Sequence, residues 1–182
     1  CIRSWDRWHE RLDPVIVARV EIATERALKY LRNNQLFDGS WAPLWFGNQN
    51  LRRENNLTYG TSQVTLALAE ISKRNKGLVS GILERAVQWL EGAQNDDGGW
   101  GGGVSTSPSS IEETALATDA LLAAGGCHKI TTRGLEWLIH KTSRGKNFPP
   151  SAIGFYFAKL WYHERLYPLI WTVSALTRAT GK

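Results

Sequence analysis

Three carboxylates, Glu112, Glu113 and Asp119, are the acids nearest to a stretch with almost no other polar side chain. From Ala115 to Ala124 only Thr118 and Asp119 interrupt an apolar run. Acid chemistry carried by this chain would have to draw on these three. Helix-start electrostatics already account for both glutamates, because an anion in a first helical turn complements the helix dipole. Asp96 and Asp97 belong to a glycine turn. The cysteines, Cys1 and Cys127, have no metal-ligand spacing and suggest no disulfide framework. Neither a metal nor a cofactor is therefore expected.

The second kind of spacing pairs an amide with an indole. Gln94 precedes Trp100 by six residues across Asp97-Gly98-Gly99, and Gln35 precedes Trp41 by six across Asp38-Gly39. Glycine permits the positive φ such turns demand. Each tryptophan is too large to leave in water and is expected to fold back on the helix before it. Each glutamine is expected to hydrogen-bond backbone groups at a helix terminus.

Those turns need helices to join. Asp13-Pro14 starts the first, over 14–33, with an apolar stripe beside charges. A second, over 61–73, has no charge before Glu70. An amphipathic helix over 78–93 follows. Then comes a helix over 110–124 that starts in a Ser110/Glu113 capping box and is apolar on nearly every side, hence buried all round. The helix over 132–141 is amphipathic again, and helices over 152–162 and 168–179 close the chain. No strand is expected, and the class is all-α. Residues 1–13, with Trp5 and Trp8, form an irregular lead-in, and 14–182 is the folded part.

Charged-faced and apolar helices alternate, and an aromatic-bearing turn joins each charged helix to the next apolar one. Ala27-Leu28-Lys29-Tyr30-Leu31 aligns with Ala86-Val87-Gln88-Trp89-Leu90; Arg133 to Leu138 begins a third copy in which Thr142 replaces the glutamine. Such pairs imply two concentric rings of helices, a double-ring α/α barrel. Three pairs are read here, with the last charged-faced helix left unpaired and the three long loops at one end. The chain of 182 residues has 22 Lys+Arg against 17 Asp+Glu, a net +5 without a like-charge run. That is a generic cationic surface, and nucleic acid is not an expected partner. A chain that begins at Cys1 and has no methionine is expected to be a fragment.

The two turns, with Gln35, Gly39 and Trp41 in one and Gln94, Gly98 and Trp100 in the other, resemble the QW repeats of the squalene–hopene and oxidosqualene cyclases. The likeness extends to Asn56-Leu57-Thr58-Tyr59-Gly60-Thr61, Ser107-Pro108-Ser109, Phe148-Pro149 before Phe155-Tyr156, and Trp161-Tyr162 with Leu166-Tyr167-Pro168. It runs from about Val15 onward, in the order of that family's C-terminal part. Protein prenyltransferases share such turns but need a zinc set containing D-x-C, which is absent here.

The resemblance implies a proton-initiated cyclase of an isoprenoid such as squalene. In the family a D-x-D-D motif protonates a double bond, and aromatic faces stabilise the resulting cations in a dry cavity. Cavity positions carry over to Trp45, Tyr59, Phe148, Phe155 and Tyr162. D-x-D-D does not occur in this chain, so no catalytic residue is assigned and the isolated chain is expected to be inactive. Extra residues separate Trp45 from Tyr59 and Phe148 from Phe155. Lys159, four residues after Phe155 on one helical face, replaces an aromatic of the family, so it either points outward or meets a charged group. Two alternatives follow. A class II diterpene cyclase would turn Lys159 or Arg52 and Arg53 to a substrate diphosphate, and a non-catalytic repeat module would only bind. Expected partners are the isoprenoid, the remainder of the polypeptide, a peripheral membrane contact in the full-length protein, and a second copy through an exposed barrel flank. The expected location is the cytoplasm or the cytoplasmic face of the membrane.

Overall fold

A computed structural model describes residues 11–51 and 53–181. The lead-in tryptophans Trp5 and Trp8, and Arg52, lie outside the described residues. In chain order the elements are α1 (Pro14–Asn33), β1 (Phe46–Gly47), α2 (Leu57–Arg74), α3 (Ser80–Gly92), α4 (Ile111–Ala124), α5 (His128–Lys141), β2 (Ala152–Phe155), β3 (Leu160–His163) and α6 (Tyr167–Ala179). Single 3-10 turns lie at Lys76–Leu78 and Tyr156–Ala158.

The helix starts follow from local chemistry. Asp13 accepts the Val15 N–H at 2.8 Å ahead of Pro14. Asn56 accepts the Tyr59 N–H at 2.9 Å, which begins α2 four residues before the expected Thr61. The hydroxyl of Ser110 accepts the Glu113 N–H at 3.1 Å, and Gly125 in the left-handed region ends α4. Only half of the expected capping box forms. Ser110 N–H donates to Trp100 O at 3.0 Å, which frees the Glu113 carboxylate for other partners. The fifth helix starts at His128 rather than Thr132.

Burial sorts the helices as the alternation requires. Every residue of α4 from Ile111 to Leu121 is buried, and α2 buries Leu66, Leu68 and Ala69 with four hydroxyl side chains. In α1 only Leu28 is buried. Helices α2, α4 and α6 lie side by side as the inner layer, with α4 in the middle. Helices α1, α3 and α5 form the outer layer. One core joins α2, α3 and α4 through Leu66, Leu90, Trp100 and Leu121, and another joins α1, α2 and α3 through Leu28, Leu68 and Ile82. The chain is thus an arc of three outer–inner pairs of a double ring. The helix over 128–141, expected to be unpaired, has α6 as its inner partner.

Two expectations fail in the last loop. Residues 152–162 are not a helix. Strands β2 and β3 form an antiparallel hairpin, Ala152 opposite His163 and Phe155 opposite Leu160, and β1 joins it with Phe46 opposite Phe155. The small sheet departs from the expectation of no strands while leaving the fold class intact. The helical reading arose because Ala152, Phe155, Tyr156 and Lys159 also fit a 3.6-residue period, which short strands rich in aromatics imitate. Lys159 has φ of 50° and closes the hairpin. It is exposed and faces Glu54 at 3.7 Å. The loop that carries β1 and the loop that carries β2 therefore meet each other, and the lysine points outward.

Candidate functional site

The glycine turns are built alike, and each reaches three helices. Trp41 Nε1 donates to Leu31 O at 2.9 Å and Trp100 Nε1 to Leu90 O at 2.8 Å, so each indole closes over the end of its own outer helix. Both indoles are buried. The Trp41 N–H donates to Thr61 Oγ1 at 3.0 Å and the Trp100 N–H to Thr114 Oγ1 at 2.9 Å, which attaches the following inner helix. Gln35 Nε2 donates to Gly39 O at 2.8 Å and Ile82 O at 2.9 Å; Gln94 Nε2 donates to Gly98 O and Ile130 O at 3.0 Å each. The glutamines thus bind backbone as expected, but in the first turn of the next outer helix rather than at the end of their own.

That next helix answers with an arginine and an indole. Arg85 donates to Gln35 Oε1, and Arg133 to Gln94 Oε1 at 3.1 Å. Trp89 Nε1 donates to Asp38 Oδ2 at 3.0 Å, and Trp137 Nε1 to Asp97 Oδ2 at 2.9 Å. Partial burial would raise the Asp97 pKa. Hydrogen bonds from the Gly99 N–H, Trp137 and Ser109, with the charge of Lys141, outweigh it and hold the carboxyl below its ordinary value. Trp89, Arg133 and Trp137 lie in the aligned repeats, but neither they nor Arg85 were read from the sequence as receiving the turns. Their signal was the R-x3-W spacing on consecutive outer helices.

These clamps set the loops at one end of the arc. The first loop pairs with the third through β1 and β2, and Thr58 N–H donates to Gly102 O of the second at 3.1 Å. Tyr59, in the first turn of α2, lies 4.3 Å from the Phe46 ring and 5.9 Å from Trp171 of α6, which stacks on Tyr167 at 4.5 Å. A second group surrounds Phe155, with Trp45 edge-on at 6.5 Å and Tyr162 at 6.3 Å. Four of the five expected cavity residues therefore fall into two aromatic groups. Phe148 is half-buried in the last loop and has no ring partner among the described residues. Trp45 is 53% exposed. Phe46, Tyr167 and Trp171 complete the first group; Tyr167 lies in a stretch quoted for the likeness, but none of the three was expected at the cavity. Burial, with the nearby Tyr167 and Tyr162, pushes the Tyr59 phenol up to about 12, so its ring stays neutral and electron-rich.

The three carboxylates bind protein groups. Glu113 Oε1 accepts Asn48 Nδ2 at 2.9 Å and Asn56 Nδ2 at 2.8 Å. Burial raises the Glu113 pKa to about 7; the Asn48 and Asn56 hydrogen bonds oppose this, and the neighbouring Glu112 charge adds to it. Glu112 Oε1 accepts the Ser151 N–H at 2.7 Å. Asp119 accepts from Arg178 and from Ser174 Oγ at 2.8 Å, tying α6 to α4. These contacts replace the helix-start role expected of the glutamates: the carboxylates hold loops and α6 onto the central inner helix.

An arc of paired helices with clamped turns and an aromatic inner end defines an α/α-ring protein of the terpene-cyclase type. The sequence profile of the squalene-hopene cyclase C-terminal domain matches residues 16–180, and the chain belongs to that family. It is 36% identical over 121 residues to the squalene–hopene cyclase of Bradyrhizobium diazoefficiens, covering 60% of this chain and 17% of that protein. It is 32% identical over 139 residues to a terpene cyclase–glycosyl transferase fusion protein of Humicola fuscoatra, covering 71% and 10%. The fold is shared with ent-copalyl diphosphate synthase from Streptomyces platensis, with a TM-score of 0.65 at 21% identity over 93% of this chain and 30% of that one. The chain thus spans less than a fifth of the length of these curated relatives.

Proposed function

We propose that this chain forms one arc of the wall of a proton-initiated cyclase whose substrate is an isoprenoid such as squalene. The observation that carries this reading is the Phe46–Tyr59–Trp171–Tyr167 group at the loop end of the inner helices. A carbocation in a dry cavity has no counter-ion, and aromatic faces stabilise it by cation–π attraction. A neutral phenol suits that task, because a phenolate would trap the cation covalently. The initiating acid belongs to a part of the polypeptide outside this chain. Glu112, Glu113 and Asp119 are each engaged in holding structure, and D-x-D-D does not occur in the sequence.

The partners in this reading are the isoprenoid and the remainder of the polypeptide. The latter would cover Leu169, Ile170 and Val173, an apolar stripe exposed on α6. Without it, a second copy would associate there. No helix among the described residues is long and apolar enough to cross a membrane. The proposed location is the cytoplasm or the cytoplasmic membrane face, with peripheral contact made by the full-length protein. Neither nucleic acid nor a cofactor has a place in this reading. The alternative of a diterpene cyclase that grips a diphosphate is weakened by Lys159, which lies on the outside of its hairpin beside Glu54.

The test is product analysis. Residues 1–182 alone with squalene should give no cyclic product, and turnover above a no-protein control would overturn the fragment reading. Co-expressed with the preceding part of the polypeptide, Tyr59→Ala and Phe148→Ala should release less-cyclised products while protonation continues. Unchanged products would remove both residues from the wall. An upstream sequence without D-x-D-D would favour a non-catalytic module.

A further inference from the structure

Two glutamates side by side on α4 hold the two aromatic groups separately. Glu113 Oε1 accepts from Asn48 and Asn56 of the first loop, and Asn56 carries both members of the Phe46–Tyr59 ring pair. The Asn56 N–H donates to Phe46 O at 3.1 Å, and its side-chain oxygen accepts the Tyr59 N–H at 2.9 Å. Glu112 Oε1 accepts the Ser151 N–H at 2.7 Å, immediately before the strand that ends in Phe155. Gly102 of the second loop leaves room for the Asn48 side chain: an added Cβ there would lie 2.6 Å from Asn48 Cβ.

Stability alone does not account for this arrangement. Both glutamates are 4% exposed, and each keeps one oxygen, Oε2, buried without a hydrogen-bond partner among the described residues. Neighbouring buried acids repel when charged, and an unpaired buried oxygen is itself unfavourable. An apolar pair of similar volume would pack the start of α4 at lower cost. What the acids supply is placement. They leave adjacent residues of one buried helical turn, so the first and third loops are located from a common rigid base.

We propose that Glu113 and Glu112 are positioning residues that set product specificity, Glu113 by fixing the Phe46–Tyr59 ring pair and Glu112 by fixing Phe155. A cation–π contact acts only close to the ring face. Displacing one group therefore changes which cation survives long enough to close the next ring, and hence where cyclisation stops. The inference rests on the cyclase reading and deepens it by assigning each aromatic group its own acid.

The test has two arms. In residues 1–182 labelled with 3-fluorotyrosine, the five tyrosine 19F signals, each assigned by exchange for phenylalanine, report ring placement without turnover. Glu113→Ala should move the Tyr59 signal further than that of Tyr162, the neighbour of Phe155, and Glu112→Ala should do the reverse. Glu113→Gln, whose amide oxygen still accepts from both asparagines, should return the Tyr59 signal to its original place. Should the alanine variants not fold, two substitutions outside α4 take their place. Gly102→Ala displaces Asn48 and should move the Tyr59 signal, and Ser151→Pro removes the donor to Glu112 and should move that of Tyr162. Equal movement of both signals, the reverse order, or no movement overturns the proposal.

The second arm is product analysis with the preceding part of the polypeptide co-expressed. Glu113→Ala should shift products in the direction of Tyr59→Ala, and Glu112→Ala in the direction of Phe155→Ala. Each product ratio should change at least about fivefold, about 1 kcal/mol between competing barriers. Unchanged ratios alongside displaced signals overturn the specificity role. No cyclic product from the unaltered chains removes the cyclase reading and that role with it, whereas undisplaced rings in chains that do cyclise remove this inference alone.

Discussion

Asn56 and Glu113 are joined by a 2.8 Å hydrogen bond that fixes the start of α2 against the start of α4. The same asparagine caps α2 by accepting the Tyr59 N–H at 2.9 Å. The position of the Tyr59 ring is therefore tied through one side chain to a buried carboxyl on another helix. Two amides donating to one carboxylate oxygen partly offset the cost of burying it, yet burial still holds the carboxyl pKa above its ordinary value.

A pH dependence follows. Burial raises the folded pKa of Glu113 from 4.5 to about 7, so between those values the folded chain binds a proton that the unfolded chain does not. The resulting stability is complete below 4.5 and is lost progressively as the pH rises through about 7. The total is on the order of 3 kcal/mol. Urea midpoints at about pH 5 and about pH 8 should differ in that direction, and Glu113→Gln should flatten the difference. An equal slope in the variant would contradict the assignment.

Trp100→Ala should destabilise by roughly 3–5 kcal/mol, as expected for removing a fully buried large aromatic. Trp100→Phe keeps most of the packing but loses the bond to Leu90 O, at a cost of about 1 kcal/mol beyond the lost volume. Denaturant titration of both variants separates the two contributions. A loss below about 1 kcal/mol for the alanine variant would mean that the turn contributes little.

The turn glycines should not be equivalent. Gly39 and Gly98 have φ of +97° and +92°, so alanine at either strains the backbone by roughly 1–2 kcal/mol. At Gly39 an added Cβ would also lie 2.6 Å from Arg85 O, a helix carbonyl that cannot swing aside, whereas at Gly98 the nearest atom is Arg133 O at 3.3 Å. Gly39→Ala should therefore have the lower urea midpoint of the two.

Coupling should run within each clamp and not between them. Gln94→Ala and Arg133→Ala remove one shared contact, and a double-mutant cycle should give an interaction of roughly 0.5–1.5 kcal/mol. Gln94→Ala with Arg85→Ala, which belong to different clamps, should be additive within about 0.5 kcal/mol.

Much of this architecture was legible because repetition is visible in one dimension. The Gln35/Trp41 and Gln94/Trp100 turns and the alternation of charged and apolar helices gave the two layers. What receives the turns was less visible, although Arg85/Trp89 and Arg133/Trp137 carry a repeated spacing. Residues 152–163 misled because four-residue strands are too short to show alternation, and Phe155 with Lys159 mimics a helical face. The Glu113 hub was hidden for another reason: its partners lie 65 and 57 residues away in the chain and obey no period. Of the aromatic groups, Tyr59 and Phe155 were named through family likeness, while the contacts of Phe46 and Trp171 became visible only when the loops met in space.

The carboxyl shared between Asn48 and Asn56 also sets how relatives can be recombined. A chimera that takes residues 42–56 from a relative without asparagine at positions 48 and 56, but retains Glu113, would separate donors from acceptor. It would leave a buried acid unmatched, even if every exchanged residue lay in a loop. Crossovers that move 42–56 and 110–113 together keep the triad whole, so the natural unit of exchange in this arc is not a helix or a loop but a hydrogen-bonded set drawn from both.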